Sequence, residues 1–321
     1  MLATIALSSA RSSSGETCSE SITIRGGRRV KFSHDGATDH ELHLGDGRRV
    51  TYSEFGDPDG APVLSCHGGL LCRFDVEPGA ASFRDLGARV ISPDRPGVGG
   101  SDRKPGHSTV DWVDDAREVL DALGIERCAV MGWSLGGQYA AAVGARLGDR
   151  VSRVAIIAGA PPLDDHERFA QLNRLDRRLA RLSLRAAPVA RVAFTLSARV
   201  GRRSPLRLAK FEAKHSPAAD AAVIRDHGEW LGLAMGEGGR NGAGMVDEYR
   251  AFVGAWGFDL AEIQVPTHIY QGLADTLVPP PWAKELAAGI AGAELTEYDD
   301  EGHMIAVSHR ADVVRALVAS P

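Results

Sequence analysis

The chain has 321 residues, 44% hydrophobic and 25% charged, long enough to bury a sizeable core and far from a disulfide-stapled miniprotein. Its formal net charge of −5 offers no broad basic field for a polyanion, which disfavours general nucleic-acid binding. No stretch approaches the roughly 20 apolar residues that cross a bilayer, so no integral membrane segment is expected. Residues 1–10 lack the basic start of a secretory leader. The four cysteines, Cys18, Cys66, Cys72 and Cys128, have no metal-ligand spacing. They read as buried free thiols of a reducing compartment, and a cytoplasmic location follows as the expectation.

The first 20 residues are Ser-rich and poor in large apolar groups, a composition that leaves little to bury. Residues 22–33 (ITIRGGRRVKFS) align with residues 42–53 (LHLGDGRRVTYS) at an offset of 20, each alternating around a Gly-containing turn as a β-hairpin does. From Pro62 onward strand-like runs at 63–66, 89–92, 128–132, 154–158, 268–271 and 295–298 alternate with helical patterns, the rhythm of a parallel sheet. Trp112, Ala116, Val119, Leu120 and Leu123 recur at helical spacing, with Asp111 placed as a cap or first-turn acid and Gly124 as the stop. The rhythm breaks after Pro161 and Pro162 and resumes near Val265 and Pro266. The intervening hundred residues are mainly helical, with Phe169, Leu172, Leu175, Leu179 and Leu182 predicting one amphipathic face. Residues 236–244, with five glycines, read as a mobile connection.

The strongest motif is Gly132-Trp133-Ser134-Leu135-Gly136, between an apolar strand and an Ala-rich helix. G-x-S-x-G needs that setting, because a sharp turn lifts the serine hydroxyl out of the sheet over a helix N-terminus. Ser134 is the candidate nucleophile, and a serine needs a base that is itself oriented by an acid. His303 follows the last strand-like run and Asp275 the one before it, giving the chain order Ser, Asp, His. Asp164 and Asp165, after the sixth strand, are rival acids. Gly69 in His67-Gly68-Gly69-Leu70, just after the run at 63–66, and Leu135 are the candidate oxyanion donors through their backbone N–H groups. Gly68 competes with Gly69, and His67 reads as a loop brace.

These residues resemble the α/β-hydrolase superfamily over about residues 41–317, with Asp94-Arg95-Pro96-Gly97-Val98-Gly99 similar to its loop after the fourth strand, where Asp94 and Arg95 take structural roles. The resemblance implies an α/β fold with a mostly parallel eight-stranded sheet flanked by helices and a helical cap inserted after the sixth strand. It divides the chain into an N-terminal segment (1–40), a core (41–160 and 259–321) and a cap (161–258). It also implies an acyl-enzyme mechanism on a small-molecule acyl substrate, with no cofactor and no metal. Serine at position 134 argues against the haloalkane dehalogenase and epoxide hydrolase branches, which use aspartate there. An ester is the default substrate; peroxidase-like, peptidase and C–C bond hydrolase activities share the triad, and a non-catalytic ligand-binding protein is the reading of another class. The sequence assigns no oligomeric state.

Between Arg168 and Lys214 thirteen basic residues face two acids, about +11, leaving about −16 for the remainder. A solvated outer face opposite the Leu stripe is the first reading of this segment. Attraction of an anionic substrate or partner and peripheral contact with acidic lipid are the functional ones.

Overall fold

The computed structural model describes residues 38–319, and its first element is the hairpin expected of the second sequence copy. β1 (Thr38–His43) and β2 (Arg49–Gly56) pair antiparallel across a turn in which Gly47 takes φ +86°, a conformation glycine adopts without strain. The first copy, residues 22–33, and Cys18 lie outside the described residues.

Each of the six apolar runs forms a strand: β3 (Ala61–Cys66), β4 (Ala88–Pro93), β5 (Cys128–Trp133), β6 (Val151–Ile157), β7 (Thr267–Gly272) and β8 (Glu294–Tyr298). They join one eight-stranded sheet in the order β1-β2-β4-β3-β5-β6-β7-β8. Only the pairings of β2 are antiparallel; the rest are parallel. β5 is buried along its whole length, as expected of a strand covered on both faces. The chain leaves β3 for β4 on one side and returns to β5 on the other, so the loops after β3 and β5 meet where the winding reverses. A parallel sheet opens a crevice at that point.

The helices along the core are α1 (Ala80–Phe83), α2 (Trp112–Ala122) and α3 (Gly136–Arg146) before β6. α2 buries Trp112, Ala116, Val119 and Leu120, and Gly124 turns the chain at φ +65°. Asp111 sits at the N-cap position but donates no cap; its carboxylate accepts from Ser108 N–H and Oγ instead, both at 2.7 Å.

Seven helices follow between β6 and β7 among the described residues. They are α4 (His166–Gln171), α5 (Arg174–Arg185), α6 (Ala187–Arg203), α7 (Pro205–His215), α8 (Ala218–Asp226), α9 (Gly228–Gly238) and α10 (Gly242–Phe252). α11 (Pro281–Gly289), α12 (Ile305–Ser308) and α13 (Arg310–Val318) complete the core.

Two sequence expectations for the inserted helices are corrected. The Phe169-to-Leu182 stripe is not one buried face. Asn173 breaks it by capping α5, accepting from the N–H groups of Leu175 and Asp176 at 3.0 Å each, and Leu175 is left 54% exposed. Nor is the glycine-rich segment a mobile connection. It forms the end of α9 and the start of α10, and its glycines are sites of close backbone packing: a Cβ at Gly238 would strike the Leu71 carbonyl oxygen, at Gly242 that of Arg191, and at Gly244 that of Gly97. Glycine clusters serve close approach as well as flexibility.

Cys66, Cys72 and Cys128 are buried free thiols. Burial pushes the Cys66 and Cys128 thiols up to about 12, which makes them poor nucleophiles. No helix among the described residues is long and apolar enough to cross a membrane.

Candidate active site

The chain passes from β5 into α3 through Ser134, whose φ of +56° is in the left-handed region. A non-glycine residue held there is strained, and such strain clusters at functional turns. Two bonds fix the turn: Ser134 N–H donates to Ile157 O at 2.8 Å, and Gly137 N–H donates to Ser134 O at 2.9 Å. The flanking glycines have a steric reason. A Cβ at Gly132 would meet the Gly136 carbonyl, and one at Gly136 would meet that of Cys66. Ser134 is half-buried above the N-terminus of α3, where helix N–H groups favour negative charge.

The loops after β7 and β8 bring Asp275 and His303 together. The His303 Nδ1–H donates to Asp275 Oδ2 at 2.8 Å, and both side chains are buried. Asp275 Oδ1 accepts from the N–H groups of Leu277 (2.8 Å) and Val278 (2.9 Å), and Oδ2 also from Gln271 Nε2 at 3.3 Å. Those donors hold the carboxylate in place. His303 lies against the serine turn: its ring centroid is 5.7 Å from that of Trp133, and its carbonyl accepts from Trp133 Nε1 at 3.0 Å. Burial disfavours the imidazolium, but the charge and hydrogen bond of Asp275, with the further carboxylates Asp220 and Asp176, outweigh it and raise the pKa of His303 above its ordinary value. Among the described residues no hydrogen bond joins the Ser134 hydroxyl to the imidazole; such contacts are often loose without substrate.

The rival acids are elsewhere. Asp164 and Asp165 are exposed, and Asp165 caps α4 by accepting from Glu167 N–H at 3.0 Å.

The loop after β3 reaches the same turn. A Cβ at Gly69 would stand 3.4 Å from Leu135 Cδ1, so the two candidate oxyanion donors are neighbours. Gly68 N–H is already committed to Asp75 Oδ2 at 2.6 Å, whereas neither the Gly69 nor the Leu135 N–H has an acceptor among the described residues. Leu70, next in the loop, is held at φ +61°.

His67 braces this loop. Its Nδ1 meets Gly68 O at 2.9 Å and its Nε2 accepts from Arg95 N–H at 3.3 Å. Burial, with the Arg95 charge beside it, lowers its pKa to about 4, so it is neutral. Arg95 in turn donates to His67 O at 2.6 Å and forks onto Glu248 of α10 at 3.0 and 2.8 Å. Asp94 ties Arg73, Thr51 and Gly100.

Sequence reasoning missed two carboxylates. Asp75, supported by Arg310 Nη2 at 2.9 Å, fixes Gly68. Asp220 of α8, buried, accepts from the N–H groups of His303 (3.0 Å) and Met304 (2.8 Å). A Cβ at Gly302 would collide with its carboxylate, so the glycine before His303 makes room for an acid from the inserted helices. No signal local to Asp220 announces this role. Among the described residues, no three His, Cys, Asp or Glu side chains converge for a metal ion.

The sequence model of the α/β hydrolase fold matches residues 61–309, and the chain belongs to that family. It is 28% identical over 256 residues to a pimeloyl-[acyl-carrier protein] methyl ester esterase of Chromobacterium violaceum, covering 78% of this chain and 88% of the relative. It is 38% identical over 117 residues to a 2-hydroxymuconate semialdehyde hydrolase of Pseudomonas putida, covering 36% of this chain. The matches to that hydrolase and to a non-heme chloroperoxidase of Streptomyces lividans span only 41% and 44% of those relatives. Among solved structures, the enol-lactonase of Burkholderia xenovorans superposes with a TM-score of 0.62 at 21% identity, over 87% of this chain and 98% of that one; it shares the fold.

Proposed function

We propose that the protein is a serine hydrolase that cleaves a small or medium carboxylic ester, or a related acyl substrate, through an acyl-enzyme. The observation that carries this reading is the juxtaposition of the buried Asp275–His303 pair with a left-handed Ser134 and two uncommitted N–H groups at Gly69 and Leu135. The esterase that this chain matches over most of its length supports the ester as the first substrate class.

In this mechanism Ser134 Oγ attacks the substrate carbonyl carbon while His303 Nε2 takes its proton. Asp275 fixes the tautomer and offsets the charge on the imidazolium. The carbonyl oxygen becomes an oxyanion, which accepts from Gly69 and Leu135 N–H, with the α3 N-terminus adding to the field. His303 then gives its proton to the leaving alkoxide, and the acyl group remains on Ser134. Water, deprotonated by the same nitrogen, releases the acid. Asp220 is a positioning residue: it fixes the backbone from which the imidazole projects and adds negative charge near it.

Labelling by a fluorophosphonate serine probe, compared between wild type and Ser134→Ala, tests the reading, with short and long p-nitrophenyl esters as substrates. Loss of label in the variant, with a turnover loss of about 10⁴-fold or more, is the expected result. A folded wild type that takes no label and turns over no ester, amide or thioester would overturn it in favour of a ligand-binding protein.

A further inference from the structure

α6 is apolar on two opposite faces. Ala190, Phe194, Ala198 and Gly201 turn inward, while Val189, Val192, Leu196 and Val200, about half a turn away, stand 47–58% exposed. A surface helix of a water-bathed protein places polar residues there. The stripe departs from the expected arrangement, a solvated basic outer face, by exposing aliphatic residues as well.

The preceding helix, which packs against α6, carries charge. Arg174, Arg178, Arg181 and Arg185 of α5 recur at spacings of four, three and four, which stacks them on one side of the helix. All four are exposed, and among the described residues none of them has an ion-pair partner. The last three, with Leu179, Leu182 and Ala186, line an open concavity of about 420 Å³. Arg181 lies over the Phe169 ring at 5.6 Å, and arginines without an acidic partner beside an apolar hollow suit a phosphate ester attached to a hydrocarbon.

We infer that the outer surface of α5 and α6 docks the protein reversibly onto an anionic lipid bilayer, with the α6 stripe entering the boundary between headgroups and acyl chains and the α5 arginines holding lipid phosphates. Charge selects this occupant. Residues 168–214 carry about +11, so a symmetric pair of chains joined through this face would set like charge against like. A head-to-tail contact with the acidic remainder of a second copy would build rings or open filaments instead of a closed pair. Residues 1–37 hold five basic and three acidic side chains and bring no complementary charge. An aliphatic stripe beside arginines is the pattern of a helix lying in a membrane interface.

Vesicle flotation with the full chain tests the inference, using phosphatidylglycerol–phosphatidylcholine vesicles against pure phosphatidylcholine at low and high salt. Flotation with the anionic vesicles at low salt, lost on phosphatidylcholine and at high salt, is the expected result. Each phosphate-facing arginine contributes about fivefold to partitioning, so Arg178→Gln with Arg185→Gln lowers it about 25-fold. Val192→Gln with Leu196→Gln lowers it by at least tenfold, since two aliphatic groups leave the acyl boundary. Both pairs are solvent-exposed, and their circular dichroism and Tm stay at the wild-type values. No flotation with anionic vesicles overturns the inference, as does equal flotation on phosphatidylcholine or flotation that survives both pairs. A dimer in sedimentation velocity that Leu196→Gln dissolves assigns the face to a second copy, and binding to an acidic protein without vesicle binding assigns it to that class; either overturns the bilayer.

Discussion

His303 is gripped in two places, by Asp275 at its ring and by Asp220 at its backbone. Both carboxylates favour the imidazolium, and the neutral ring is the form that can take a proton. Activity should therefore fall as pH drops through a pKa above 6.5, which a kcat/KM profile reads as an acid limb displaced upward from that of an ordinary histidine. Asp275→Asn removes the nearer charge and the tautomer control; the limb should move to lower pH and kcat should fall by about 10⁴-fold. Asp220→Asn keeps the side-chain shape but removes the charge and one of two acceptors. We expect a loss of about 10- to 100-fold in kcat with KM unchanged, and an acid limb that again moves down. A residue that merely filled space would leave the limb where it was, so the pH profile is the deciding measurement.

At the scale of elements, the glycine cluster between α9 and α10 works through contact. Gly244→Ala forces a methyl group into the Gly97 carbonyl and should destabilise the fold by about 1–3 kcal/mol or more, read as a drop of several degrees in Tm. Gly148→Ala, whose nearest neighbour would be Val265 Cγ1 at an ordinary 3.7 Å, is the control and should change Tm little. The same contrast explains what the sequence revealed. The places of Ser134, Asp275 and His303 were legible because each lies just past a strand, and a parallel sheet gathers those loops at one edge whatever the helices do. Gly69 is preferred to its competitor Gly68 in sequence, and the bond from Gly68 N–H to Asp75 leaves the Gly69 N–H as the uncommitted one of the two. Asp220 and the outward stripe of α6 were hidden for a related reason. Helical spacing says which residues share a face, but not which face is covered by its neighbours, and α6 carries apolar groups on both.

Across the whole molecule, buried and half-buried polar ties fasten the inserted helices to the loops that follow β3 and β4. Arg95 to Glu248 is nearly solvent-free, Arg103 reaches Asp247 at 2.6 Å, and Trp230 Nε1 donates to Phe74 O at 2.7 Å. Calorimetry should accordingly show one transition for core and inserted helices together. Burial alone would raise the Glu248 carboxyl, but the Arg95 guanidinium pulls it down to about 2 from an ordinary 4.5. A folded pKa below the unfolded one contributes stability that is present in full above about pH 4.5 and lost as pH falls toward 2. Glu248→Gln should therefore destabilise the protein at neutral pH by about 3–5 kcal/mol, because it leaves Arg95 buried without its partner, and should flatten the pH dependence of Tm in that acid window. The Asp220 contact reaches further, into how such enzymes can be rebuilt. Transplanting a foreign set of helices between β6 and β7 would remove the acceptor for two buried N–H groups beside His303, and Gly302 would then border an empty space. A chimera that folds but turns over slowly, with its acid limb moved down as in Asp220→Asn, would show the want of that carboxylate, and restoring a single aspartate at the matching place in the graft should move the limb back.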